Sequence, residues 1–286
     1  MKTEKEIGIK EEVENYLTYE SIDIENFNVS NNEVTGKVIG LIGSKGGAGT
    51  TFIACHLAVL CSKKEFENKV ILVNLNLENG DIKTVFNPAN PVKNLGDLIP
   101  ILDELSDISV ENVVENINSE ISVIFSPNDF KKAKEFKEKN LNRIIEILKK
   151  SYNYIFLDLP NNLNLSSAKV GINVSDYLII ITLPRYLSIK RCDYLLKEIY
   201  SINKRGKIHF IINRSDIFSA IPLKHIEQFL GITITQTIPE DLTLGMMFDQ
   251  KGIVLSDRTD LSVISSIYKL ATTFSNFKIN KLKRIN

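Results

Sequence analysis

Tryptophan is absent from this 286-residue chain, and cysteine, histidine and methionine occur three times each. Cys55, Cys61 and Cys192 are odd in number and share no metal-ligand or disulfide spacing, while His56, His209 and His225 are equally scattered. Neither a disulfide framework nor a metal centre built on these side chains is expected. No apolar run approaches the ~18 residues of a membrane-crossing helix, and no signal-peptide pattern opens the sequence. Net charge is also missing: 35 basic residues balance 35 acidic ones. That removes the electrostatic case for nucleic acid as a partner. These absences describe a cytoplasmic protein. With 43% apolar residues, the chain can bury one large core, or one core with a small appendage.

What is present is alternation. Near-continuous aliphatic runs at Val38–Ile42, Val70–Leu75, Ile121–Phe125, Tyr154–Leu159, Tyr177–Leu183, Ile208–Ile212 and Ile232–Thr237 read as strands buried on both faces. Helical patterns at Thr51–Lys63, Leu95–Leu105, Lys134–Lys150, Ile189–Ile202 and Leu261–Ser275 fall between and after them. The expected fold is α/β: a doubly wound, mostly parallel sheet flanked by helices, occupying residues 37–275. Residues 1–36 form an acidic extension, in which Ile9, Val13 and Leu17 mark a short amphipathic helix. It reads equally as a partly ordered tail or as a partner-binding element. Residues 276–286 form a basic tail.

The segment Lys37–Phe52, KVIGLIGSKGGAGTTF, carries the chemistry. A strand passes through a glycine-rich turn into a helix, which is the sequence form of a phosphate-binding loop. Gly46, Gly47 and Gly49 let a phosphate approach the main chain and permit φ > 0 where the loop needs it. Thr51 opens the helix, where its hydroxyl can ligate Mg²⁺. Against G-x-x-x-x-G-K-[ST], Ser44 replaces the first glycine and Thr50 replaces the phosphate-reaching lysine, leaving Lys45 nearby. A plain tight connection or a dinucleotide site are the other readings of such a turn, although the spacing is not G-x-G-x-x-G.

Asp158 ends the strand Tyr154–Leu159 just before Pro160, a position from which a carboxylate can hold a Mg²⁺-bound water or simply cap a turn. The tip of the second strand reads Asn74-Leu75-Asn76-Leu77-Glu78-Asn79-Gly80-Asp81.

Lys45-Gly46-Gly47-Ala48-Gly49-x-Thr51 resembles the deviant phosphate loop of the MinD/ParA family of P-loop ATPases. The resemblance extends over residues 37–275 through Asn213-Arg214 and Ile238-Pro239-Glu240-Asp241. Asn76-Leu77-x-x-Gly80-Asp81, Leu157-Asp158-Leu159-Pro160 and the missing lysine at position 50 are similar to the TadZ/CpaE branch, whose members serve pilus assembly and localisation. Those relatives usually carry a receiver-like domain before the phosphate loop, and 36 residues cannot form one.

The resemblance implies ATP and Mg²⁺ as cofactors and a homodimer closed through the nucleotide face, with Lys45 of one chain reaching the phosphates of the other. It further implies backbone donors from Gly46, Gly47, Gly49 and Thr50, Mg²⁺ at Thr51 and Asp158, and adenine framed by Asn213 and Pro239. Asn74 and Asn76 occupy the positions of the family's Asp-x-Asp, so no intact catalytic carboxylate is present there. A neutral amide cannot take a proton. Three functions follow as expectations. The first is a nucleotide-gated localisation or assembly factor with weak or absent hydrolysis, working with pilus or secretion assembly proteins. The second is an active positioning ATPase in which Glu78 or Asp81 has taken over. The third is a nucleotide-free scaffold. MinD proteins end in an amphipathic membrane-targeting helix, so residues 276–286 read either as a weak peripheral contact with the inner face of the membrane or as a frayed basic end.

Overall fold

The computed structural model describes residues 35–63, 68–88, 92–117, 121–202, 207–216, 221–252 and 261–274. The amphipathic segment around Ile9–Leu17 and the tail 276–286 lie outside the described residues. Among the described residues, eight strands form one sheet: β1 (Lys37–Gly43), β2 (Val70–Asn74), β3 (Glu115–Ile117), β4 (Ile121–Ile124), β5 (Tyr154–Leu159), β6 (Tyr177–Thr182), β7 (Lys207–Ser215) and β8 (Ile234–Pro239). Their order is β3-β4-β2-β5-β1-β6-β7-β8. All pairings are parallel except β3 with β4 at the edge. This is the doubly wound α/β architecture expected from the aliphatic runs.

The strands bury both faces. In β1, Val38 and Ile42 join the core on one side and Ile39 and Leu41 the core on the other. Helices α1 (Thr50–Cys61) and α9 (Ser262–Phe274) cover the second side. Nine consecutive residues of α1, Ile53–Cys61, are buried, which is why this helix is apolar all round. Helix α4 (Glu138–Ser151) covers the opposite side with one apolar stripe, Leu141, Ile144, Ile145 and Leu148. Each such side chain contributes about 1.5–3 kcal/mol when withdrawn from water. Helices α5 (Ser166–Val174) and α6 (Tyr186–Ile202) share that layer. The shorter helices are α2 (Ile82–Phe86), α3 (Asp107–Glu111), α7 (Leu223–Leu230) and α8 (Leu242–Lys251).

Three expectations need correction. The helix expected over Leu95–Leu105 is a 3-10 segment, Leu95–Ile101, capped by Asn94 and containing Pro100. Proline lacks the N–H that an α-helix would continue through. The helix expected over Lys134–Lys150 starts only at Glu138, because a separate 3-10 turn, Phe130–Glu135, ends in the extended Phe136. The last strand begins at Ile234 and runs to Pro239, two residues later than the aliphatic run suggested. No described helix is long and apolar enough to cross a membrane.

Candidate functional site

The carboxyl ends of β1, β2, β5, β7 and β8 open into a cleft of about 550 Å³. Its floor is the loop between β1 and α1. That loop is pinned at its start, where Ser44 N–H donates to Ile181 O at 2.8 Å and the Ser44 and Thr182 hydroxyls share a buried 2.9 Å bond. The serine that breaks the standard glycine pattern is thus tied to the end of β6. Gly47 (φ 78°) and Gly49 (φ 92°) take the left-handed conformation that the turn requires. A Cβ built on Gly46 or Gly47 would meet nothing, so the loop presents open space rather than a packed wall.

Helix α1 begins at this loop with Gly49 as its N-cap, no side-chain cap and no acidic residue in its first turn. Its first helical bond is Ile53 N–H to Gly49 O at 3.0 Å. The amides of Thr50, Thr51 and Phe52 therefore have no partner within the helix, and no acidic residue of its own first turn offsets its positive end. An anion is the natural complement.

Thr51 and Asp158 meet beside that end: the Thr51 hydroxyl donates to Asp158 Oδ2 at 2.9 Å. Burial pushes the Asp158 carboxyl up to about 7, the Thr51 hydrogen bond opposing the rise and the Asp81 charge adding to it. Such burial favours the neutral acid unless a cation stands beside the carboxylate. Among the described residues, no group of three His, Cys, Asp or Glu side chains could hold a metal. Thr51 and Asp158 therefore fit a Mg²⁺ shared with phosphate oxygens rather than one held by an all-protein cage. Glu78, Asp81, Asp158, Asp241 and Asp249 line the cleft against Lys45 and Arg214. A triphosphate in this acidic surround needs an accompanying cation.

The two asparagines of β2 separate. Asn76 lines the cleft and its amide donates to Asn79 O at 2.9 Å. Asn74 is 0% exposed, pairs in register with Asp158, and donates to Ser126 Oγ at 3.3 Å, while its own Oδ1 has no partner among the described residues. Pro239 lines the cleft. Asn213 also lines it, but its amide nitrogen donates to Ala48 O at 2.9 Å. Sequence reasoning missed Gly43, where a Cβ would sit 2.5 Å from Thr50 Oγ1. It also missed Phe52 and Phe248, whose rings meet edge to face at 4.9 Å in the cleft wall. Burial raises the thiols of Cys55 and Cys61, and that of Cys192 to about 12, which leaves no thiolate for chemistry at neutral pH.

Sheet order, the uncapped helix behind a glycine loop and the strand-tip aspartate together define the P-loop ATPase fold of the ParA/MinD kind. Residues 36–212 match the AAA_31 family, described as an AAA domain, and the chain belongs to that family. An uncharacterised ATP-binding protein of Methanocaldococcus jannaschii is 24% identical over 249 residues, covering 85% of this chain and 89% of that protein. A ParA family ATPase from Chlorobium tepidum superposes with a TM-score of 0.75 at 26% identity, covering 82% of this chain and 98% of the other. The septum site-determining protein MinD of Pyrococcus horikoshii, solved with Mg-ADP, gives a TM-score of 0.71 at 19% identity over 84% and 96% of the two chains.

Proposed function

We propose that this chain binds Mg-ATP in the cleft, pairs with a second copy across the nucleotide, and acts as a localisation or assembly factor of the TadZ/CpaE kind that turns ATP over weakly or not at all. One contrast carries the reading. The cradle keeps an open loop, uncapped helix amides and the Thr51–Asp158 pair. The cleft-facing position next to it offers an amide, Asn76, where a carboxylate would position water. Loss of lysine at position 50 removes a charge-assisted hydrogen bond of about 1.5–3 kcal/mol, which weakens binding without abolishing it. Lys45 of the second copy supplies positive charge in its place. Partners would be pilus or secretion assembly proteins that respond to the paired state.

The reading is tested on purified protein by ATP affinity, self-association and phosphate release. Mg-ATP is expected to raise the melting temperature and promote dimers with little phosphate released. Gly47→Val, which fills the open loop at a left-handed position, is expected to erase that thermal shift. A shift that survives in Gly47→Val would remove the cradle from the account, and no shift in the parent protein would leave only a scaffold.

One observation favours a working ATPase instead: Glu78 and Asp81 both line the cleft. If either positions water, the double change Glu78→Gln, Asp81→Asn lowers phosphate release by about 10²-fold or more. On the pseudo-ATPase reading, release is already near background and does not move.

A further inference from the structure

Helix α8 leaves β8 at one edge of the sheet and ends against α2, which follows β2, with β5, β1, β6 and β7 lying between the two strands. Along its course Leu244 enters the same core as Ile82 and Val85 of α2. Phe248 stands edge to face on Phe52, in the first turn of α1, at 4.9 Å. The helix closes where Gly252 N–H donates to Phe248 O at 2.9 Å. Gly252 takes φ 77° and ψ −140°, a combination open essentially to glycine alone. A Cβ there would be driven into the Val85 carbonyl. The hydrogen that stands in its place therefore faces the Val85 oxygen, as in a Cα–H···O contact. Both helices border the cleft. Leu244, Phe248 and Asp249 line it from α8, and Glu78, Asn79 and Asp81 line it from the loop that leads into α2.

We infer that α8 is a strap along the cleft and that the contact of Gly252 with Val85 is its latch, which sets how fast a bound nucleotide leaves. This rests on the reading above that the cleft takes Mg-ATP. The latch joins two walls that come from distant strands, so the walls part only when it opens, and release waits on that opening. A Cα–H···O contact is weaker than an N–H···O bond, so this joint opens more readily than the hydrogen-bonded phosphate loop. Gly252 is a positioning residue here: it touches α2, and it acts on the ligand through the helix that it ends.

The test follows release of a fluorescent ATP analogue, chased with excess Mg-ATP, from the full-length parent, Gly252→Ala and Gly231→Ala. Gly231 ends α7 at a positive φ of 63° with nothing within 4 Å of a Cβ, so its variant carries a backbone penalty without touching α2. Melting temperature is expected to fall in both variants. Release is expected to quicken on the order of tenfold in Gly252→Ala and to keep the parent rate in Gly231→Ala. Parent-like release from Gly252→Ala would overturn the inference, and so would equal quickening in Gly231→Ala, which would point to general loosening. Amide hydrogen exchange without nucleotide gives a second readout. In Gly252→Ala the amides of α2 and α8 should exchange faster while those of α4 stay as in the parent, and an unmoved α2 would also overturn the inference. If Gly252→Ala does not fold, the parent decides: Mg-ATP is expected to slow exchange in α2 and α8 together, and protection of one without the other sinks the latch. Failure of the parent to bind the analogue would defeat the Mg-ATP reading, while nucleotide-free exchange would still report on the contact.

Discussion

Replacing Asn76 with aspartate is expected to raise phosphate release by about 10²-fold or more over the parent protein, and adding Thr50→Lys to raise it further. The first change puts a carboxylate on a side chain that already lines the cleft. The second restores the charge that stabilises a transferring phosphoryl group. Asn74→Asp is the control that separates position from charge. That side chain is 0% exposed, next to Asp158 in register, and Gly80 lies so close that a Cβ there would be 2.2 Å from Asn74 Nδ2. A second buried carboxylate there gains no water to activate and loses the donation to Ser126. Asn74→Asp should therefore lower the melting temperature and leave turnover at background. A parent protein that hydrolyses ATP as fast as its Asn76→Asp variant would refute the pseudo-ATPase reading.

The second large effect is on stability and its pH dependence. The Asp158 carboxyl stands at about 7 in the folded chain against 3.8 for the exposed group. Between those values the folded chain keeps a proton that the unfolded chain releases. Unfolding then releases protons, and this group's contribution declines as pH rises through the window and levels off above about 7. A gap of this size corresponds to about 4 kcal/mol. Asp158→Asn keeps an oxygen to accept from Thr51 and removes the titration. Without nucleotide, the variant should match the parent near pH 4 and exceed it by up to about 4 kcal/mol at pH 8 in denaturant unfolding. It should also lose the Mg²⁺ dependence of ATP binding. Equal stability of the two proteins at pH 8 would mean that the carboxylate ionises there without penalty.

The seven main strands were readable because a strand covered on both faces has no polar side to interrupt it; Tyr177–Thr182 is four aliphatic residues between a tyrosine and a threonine. Strand β3, with the sequence Glu-Asn-Ile, is short, half-exposed and antiparallel at the edge, and carries no such signal. Helix α8 was missed because Gly245 interrupts its pattern and its start depends on the Asp241 side chain accepting from Leu244 N–H. The phosphate loop, Asp158 and Pro239 were legible as motifs on the chain. The bonds that hold the site together were not, since Ser44 with Thr182 and Asn213 with Ala48 join residues 138 and 165 positions apart. Local pattern cannot report which distant side chains a fold will bring together, and the different fates of Asn74 and Asn76 arise in the same way.

The loop between β1 and α1 is moored on two sides before any ligand is present, to β6 through Ser44 and to β7 through Ala48. A receptacle built in advance loses little chain entropy on capture, so affinity can persist after a charged contact has been lost. It also has little motion of its own with which to announce that it is full. Whatever distinguishes the loaded chain to a partner must then arise elsewhere on the rim, in segments without such moorings.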